Sequence, residues 1–185
     1  MKVGLVYFGG QYNHLIMKLL SSLGVEVTKM EPMEANLSNF DAVVLSGGPQ
    51  SVYDGGETVQ RLSSQIKSTS VPLLGICFGH QLLAYSLGGK VEKSPNPEYG
   101  LVKIRVMEED TILRGFRDFS AWESHNDEVV TAPPGFITLA SSEGARVQAM
   151  ANPGELKFGV QFHPEVKHTE NGVRVFENFL SAVKK

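Results

Sequence analysis

The one cysteine in this chain, Cys77, lies in the segment GICFG (75–79). There an apolar run, VPLLGIC (71–77), gives way to FGHQLLAYSLGG, which has helical character. G-x-C-x-G is the thiol counterpart of the G-x-S-x-G nucleophile elbow. In that elbow a sharp strand-to-helix turn exposes the reactive atom, and glycines remove side chains that would collide. A thiol at a helix N-terminus faces unpaired N–H groups that favour the thiolate. The Phe78 amide there could also stabilise an oxyanion on a carbonyl under attack. Alone, the segment equally suits a small buried hydrophobe, so the pattern needs a base.

Among the histidines, His163 stands out in GVQFHPEV, at the end of an apolar run with Glu165 two residues on. If strand geometry persists, residues 163 and 165 point to the same side of the sheet, and Pro164 between them stiffens the chain. A carboxylate against one imidazole nitrogen fixes the tautomer and leaves the other nitrogen free to take a proton from a thiol. His125 lacks such a rigid carboxylate neighbour, and His14, His80 and His168 read as structural. No Cys/His cluster has metal-ligand spacing, so no metal is expected.

A third segment, SGGPQS (46–51), partly resembles the S-G-G-x-D-S loop that holds phosphates in ATP pyrophosphatases. Gln50 occupies the Asp position and no helix-forming run follows at once, which argues against phosphate. The amide of Gly48 is instead expected to face Cys77 as a second oxyanion donor, glycine permitting the close approach. A plain strand-ending turn is the other reading.

These groups need elements to bring them together. VGLVY (3–7), VEVTKM (25–30), DAVVLSGG (41–48) and VPLLGIC (71–77) read as strands. The periodicity over 11–23, a polar stretch at 57–67 and the run after Cys77 read as helices between or beyond them. Such alternation implies βαβ units and a parallel sheet. After Lys90 come shorter runs, LVKIRVM (101–107), ITLASS (137–142) and VQAMA (147–151), expected as antiparallel edge strands. KFGVQFH (157–163) resumes the buried type, and 171–183 forms a closing amphipathic helix. The predicted fold is α/β: an open, mostly parallel sheet flanked by helices, with a few added antiparallel edge strands. Ligands in such sheets bind beyond the carboxyl ends of the strands. Loop 46–48, Cys77 and His163 all follow strand ends.

With 185 residues, no internal repeat and no dividing linker, a single domain over 1–185 is expected. A net charge of −3 with no basic block gives no reason to expect nucleic acid or an anionic membrane surface as partner. No apolar run approaches the ~20 residues of a membrane span. The start, MKVGLVYFGG, reads as a first strand and not as a signal peptide. One cysteine cannot form an internal disulfide, and a reducing cytoplasm is the natural setting.

The GICFGHQ elbow, the LSGGP loop and the FHPE strand end, taken jointly, resemble the class I (triad-type) glutamine amidotransferase family along nearly the whole chain. FGGQYNH (8–14), PEYG (97–100) and WESHNDEV (122–129) resemble the glutaminase branch of GMP synthetases; the Asn-Tyr-Asp-Ser opening of chorismate-linked relatives is absent. Tyr7 and Pro97 depart from that branch, which commonly has Asp and Arg there. The resemblance implies a Cys77–His163–Glu165 triad hydrolysing L-glutamine, with Gly48 and Phe78 as the oxyanion hole. It further implies that Gln81, one helical turn beyond Cys77, binds the substrate's polar end. Ser124, His125, Asn126 and Asp127 would form a loop holding the α-amino and α-carboxylate groups. Full GMP synthetases carry a following ATP-pyrophosphatase domain. The chain ends at Lys185 and has no phosphate loop, so the resemblance implies a partner, a separate ATP-pyrophosphatase subunit. ATP, magnesium and XMP would bind there, with no cofactor on this chain. The alternatives are a glutaminase serving a chorismate-using synthase, a stand-alone γ-glutamyl hydrolase and a non-catalytic regulatory subunit.

Overall fold

Four short strands of near-continuous apolar sequence form one half of a nine-stranded sheet, because each must be covered on both faces. The computed structural model describes all residues, 1–185. In chain order the elements are β1 (Lys2–Val6), α1 (Asn13–Ser22), β2 (Glu26–Met30), β3 (Ala42–Leu45), α2 (Gly56–Ser68), β4 (Leu73–Ile76) and α3 (Phe78–Ser86). There follow β5 (Lys90–Val106), β6 (Phe119–Thr131), β7 (Ile137–Ser142), β8 (Ala145–Asn152), β9 (Lys157–Val160) and α4 (Gly172–Lys184). The strand order is β2-β1-β3-β4-β9-β8-β7-β5-β6. From β2 to β9 the pairings are parallel; beyond β9 they are antiparallel. This is the expected α/β architecture.

Side-chain alternation along the strands sorts the interior into two cores. Val3, Leu5, Val44, Leu74 and Ile76 pack with Ile16 and Leu20 of α1 and Phe176, Phe179 and Leu180 of α4. Val6, Val43, Leu45 and Leu73 face the other way, onto Leu62 and Ile66 of α2 and Leu82 and Leu83 of α3. Helices therefore cover both faces, and strand order reverses at β1, between β2 and β3. The crevice at that reversal opens at the carboxyl ends of β1, β3, β4 and β9, within three residues of Phe8, Ser46, Cys77 and His163.

Three local expectations are corrected. Strand β9 ends at Val160, so His163 and Glu165 lie in a turn, closed by Val166 N–H to the His163 carbonyl, and not on a continuing strand. Residues 124–127 form no loop; they lie within β6. The inward side of β6 carries Phe119, Ala121, Glu123 and His125, and the two polar members hid the strand's period from hydropathy. Strand β5 is far longer than 101–107. It contains Pro95 and Pro97, which its pairing with β6 skips by jumping between Lys93 and Glu98, a bulge that accommodates both.

Candidate functional site

Cys77 occupies the joint between β4 and α3 with φ 52° and ψ −106°, a conformation costing about 1–3 kcal/mol for a non-glycine residue. Its neighbours hold it there. The Cys77 amide donates to the Val160 carbonyl at 2.9 Å, and the Gly79 amide donates to the Ser46 carbonyl at 3.1 Å. A Cβ on Gly75 would stand 2.5 Å from the Gly79 oxygen, and one on Gly79 would stand 2.1 Å from the Leu45 oxygen. Both elbow glycines are therefore required by contact.

The loop after β3 is pinned from below. Buried Asn13 donates to Ser46 Oγ (2.8 Å) and to the Gly47 carbonyl (3.2 Å), and the Phe8 amide donates to the same Ser46 Oγ (2.9 Å). Asn13 belongs to the FGGQYNH segment that carries the resemblance, but nothing in the sequence pairs it with Ser46 and Gly47, more than 30 residues on. Gly48 lines the cleft beside Cys77 and Phe78. The Gly48 amide donates to no backbone carbonyl, and Phe78 opens α3, where first-turn N–H groups have no helical acceptor.

His163 reaches this point from the far strand. Its amide donates to the Trp122 carbonyl at 2.9 Å, its carbonyl accepts from Thr169 Oγ1 at 2.7 Å, and its ring meets Tyr12 edge-on at 5.1 Å. Nδ1 lies 2.6 Å from Glu165 Oε1, and both side chains are buried. A Cβ on Gly47 would lie 3.2 Å from His163 Cε1 and 3.6 Å from the Cβ of Cys77; imidazole and thiol flank one small space. Burial, the strongest single influence on the ring, disfavours its charge. The charge of Glu165, that of Cys77 and hydrogen bonds to both outweigh it and lift His163 well above the ordinary imidazole value. The three groups named from the sequence thus meet at one rim.

Gln81 also faces the cleft, but its Nε2 is committed inside the protein, to the Asp127 carbonyl (3.0 Å) and to Gln161 Oε1 (3.1 Å). Ser124, Asn126 and Asp127 line the same cavity of about 900 Å³, and Asn126 Oδ1 accepts from the Tyr99 hydroxyl. His125 contributes to the wall, yet its ring is held within the protein. Nε2 contacts Glu98 Oε1 at 2.8 Å and Nδ1 the Asp127 carbonyl at 2.9 Å. Glu98 also accepts from Ser142, Gln148 and the Gly144 amide. Burial alone would raise Glu98, but the bonds from His125, Ser142 and Gly144 bring it below the usual carboxylate range. His125 is likewise opposed by burial, yet its bond to the Glu98 carboxylate and the charge of that group raise it. Glu123, beneath them, is driven by burial to about 8. Glu98, Glu123 and His125 lie close enough to share an ion, but the Glu98–His125 bond and the Gln148 contacts already occupy them. His80 is fully enclosed, bonded to the Val147 carbonyl at 3.0 Å and lowered by burial to about 3, which fits a neutral structural ring.

The sequence model of the glutamine amidotransferase class-I family matches residues 4–183. The chain belongs to that family. Among curated relatives of this amidotransferase, a subunit of GMP synthase (glutamine-hydrolyzing) from Saccharolobus solfataricus is 56% identical, with 100% of both chains covered. The GMP synthase (glutamine-hydrolyzing) of Pyrobaculum aerophilum is 44% identical over 98% of this chain but only 36% of its own length. Among solved structures, a Thermoplasma acidophilum protein provisionally named as part of a GMP synthase superposes with a TM-score of 0.92 at 33% identity. That match covers 100% of this chain and 94% of the other. No helix of this amidotransferase is long and apolar enough to cross a membrane.

Proposed function

We propose that this amidotransferase is the glutaminase subunit of a two-chain GMP synthase. The observation that carries the reading is the convergence of Cys77, on its strained elbow, with His163 paired to Glu165 at 2.6 Å. Cys77 Sγ attacks the side-chain amide carbon of L-glutamine, and the amides of Gly48 and Phe78 receive the charge that develops on its oxygen. His163 protonates the departing nitrogen, and ammonia leaves a thioester on Cys77. The same imidazole then takes a proton from water, whose oxygen displaces the sulfur and releases glutamate. Glu165 holds the ring in the tautomer and orientation both steps need. Residues 124–127 and Gln81 bind the amino-acid end. Because Gln81 Nε2 is already committed, it is the Oε1 of that residue that faces the substrate.

The 56% identity to a GMP synthase subunit supports GMP synthesis over the chorismate-using and stand-alone hydrolase readings. The Pyrobaculum relative, in which the matching part is 36% of a longer chain, supports a partner that carries the remaining chemistry. That partner would be an ATP-pyrophosphatase subunit binding ATP, magnesium and XMP, with both chains in the cytoplasm. Mixing this chain with such a subunit, XMP, ATP, magnesium and glutamine should yield GMP, whereas Cys77→Ala should yield GMP only from added ammonia. Failure to form GMP from glutamine, when the partner forms it from ammonia, would refute the assignment.

A further inference from the structure

Gln161 is fully buried in the stretch after β9, two residues before His163. Its Nε2 lies 3.5 Å from Cys77 Sγ, within the range of a hydrogen bond to sulfur. Which end of this amide meets the sulfur follows from a chain of contacts anchored on a backbone carbonyl. The oxygen of Asp127 can only accept, so the end of Gln81 that meets it, at 3.0 Å, is the NH₂ group. That same NH₂ meets Gln161 at 3.1 Å, so Gln161 presents its oxygen there. The remaining end of Gln161, its NH₂, is thereby directed at the sulfur. The anchor is itself fixed, because His125 Nδ1 donates to the Asp127 carbonyl while the other ring nitrogen is held by Glu98.

We infer that Gln161 is a catalytic hydrogen-bond donor to the Cys77 sulfur, oriented by a relay running from Glu98 through His125, the Asp127 carbonyl and Gln81. The donor and the imidazole of His163 reach the sulfur from different residues and favour the thiolate, against the Ser124 carbonyl 3.6 Å from Sγ, which can accept only from the thiol. A glutamine suits this position because it is neutral: it stabilises an anion without becoming a rival acid or base. The relay also links the wall of the amino-acid cleft, at residues 125–127, to the nucleophile. The inference rests on Cys77 being the nucleophile of the proposed function, but its test does not require glutamine turnover.

The test is the rate at which iodoacetamide alkylates Cys77 in the folded chain, followed by mass spectrometry across pH. Gln161→Met keeps the bulk and removes the donor. Its alkylation at neutral pH should be about tenfold or more slower than the parent's, the scale of one hydrogen bond to a charged group. The deficit should close at alkaline pH, where the thiolate forms unaided. Gln161→Glu can still accept from Gln81 but sets a carboxylate against the sulfur, and should be slower still. In the unsubstituted protein, the side-chain amide proton signal of Gln161 should move as the thiol ionises, which tests the contact without any variant. Folded variants that alkylate at the parental rate at neutral pH, or a Gln161 amide signal indifferent to that ionisation, would overturn the inference. A parent whose Cys77 reacts readily but which hydrolyses no glutamine with its partner would instead refute the glutaminase reading.

Discussion

In the proposed mechanism Cys77 joins strain and reactivity in one residue. Its φ of 52° is tolerated because the surrounding strand ends fix both its neighbours. Replacing it with glycine removes the penalty, so Cys77→Gly should raise the unfolding free energy by about 1 kcal/mol, measured in urea, while abolishing glutamine hydrolysis. A destabilised Cys77→Gly protein would contradict the strained elbow. Glu165 carries a different load. Its carboxylate orients His163 and stabilises its charge, so Glu165→Gln should lower glutamine turnover by about 10²-fold or more. Turnover within a factor of two of the parent's would show that the ring needs no such partner.

At the scale of elements, the site is a set of strand ends. Four parallel strands deliver Phe8, loop 46–48, Cys77 and His163 to one crevice, and the elbow works only if α3 can pass directly over β3. Gly79→Ala puts a methyl 2.1 Å from the Leu45 oxygen. It should cost about 1–3 kcal/mol, as overpacked core sites do, and a stability equal to the parent's would mean that α3 shifts freely. The parallel half of the sheet was legible because its strands are short, apolar and bounded by glycines, and the elbow and the H-P-E turn were legible because their chemistry restricts residue type. The antiparallel half was less so. Strand β6 buries Glu123 and His125 where hydropathy expects apolar side chains, and β5 folds two prolines into a bulge. The supporting polar residues, Asn13, Glu98 and Gln161, fall in or beside segments the resemblance picks out, but the sequence assigned none of them a role. Their importance arises from partners 33, 27 and 84 residues away, which only the fold brings near.

At the scale of the whole molecule, stability and pH are coupled through the buried cluster beneath the cleft. Glu123 holds its proton up to about 8 in the folded chain against an ordinary 4.5. Between those values the folded state binds a proton that the unfolded chain has released, so stability from this group is lost as pH rises. Glu123→Gln should therefore show a smaller fall in urea midpoint than the parent over that window; an equal fall would place the pH dependence elsewhere. The whole chain also meets a partner in the proposed synthase. Glutamine hydrolysis that is weak alone and strongly raised by the nucleotide-loaded ATP-pyrophosphatase partner is the expected behaviour, since unguided ammonia is lost. Equal rates with and without the partner would argue for a free-standing hydrolase.

Everything in the proposed chemistry depends on Cys77 acting as a nucleophile toward glutamine with His163 as its acid–base partner. The most direct measurement is covalent labelling by a glutamine-shaped electrophile, mapped by mass spectrometry and followed together with glutaminase activity. One adduct on Cys77, formed in step with the loss of activity, blocked by glutamine and strongly slowed in His163→Ala, is the predicted result. Full loss of activity with Cys77 unlabelled, or labelling at an undiminished rate in His163→Ala, would contradict it.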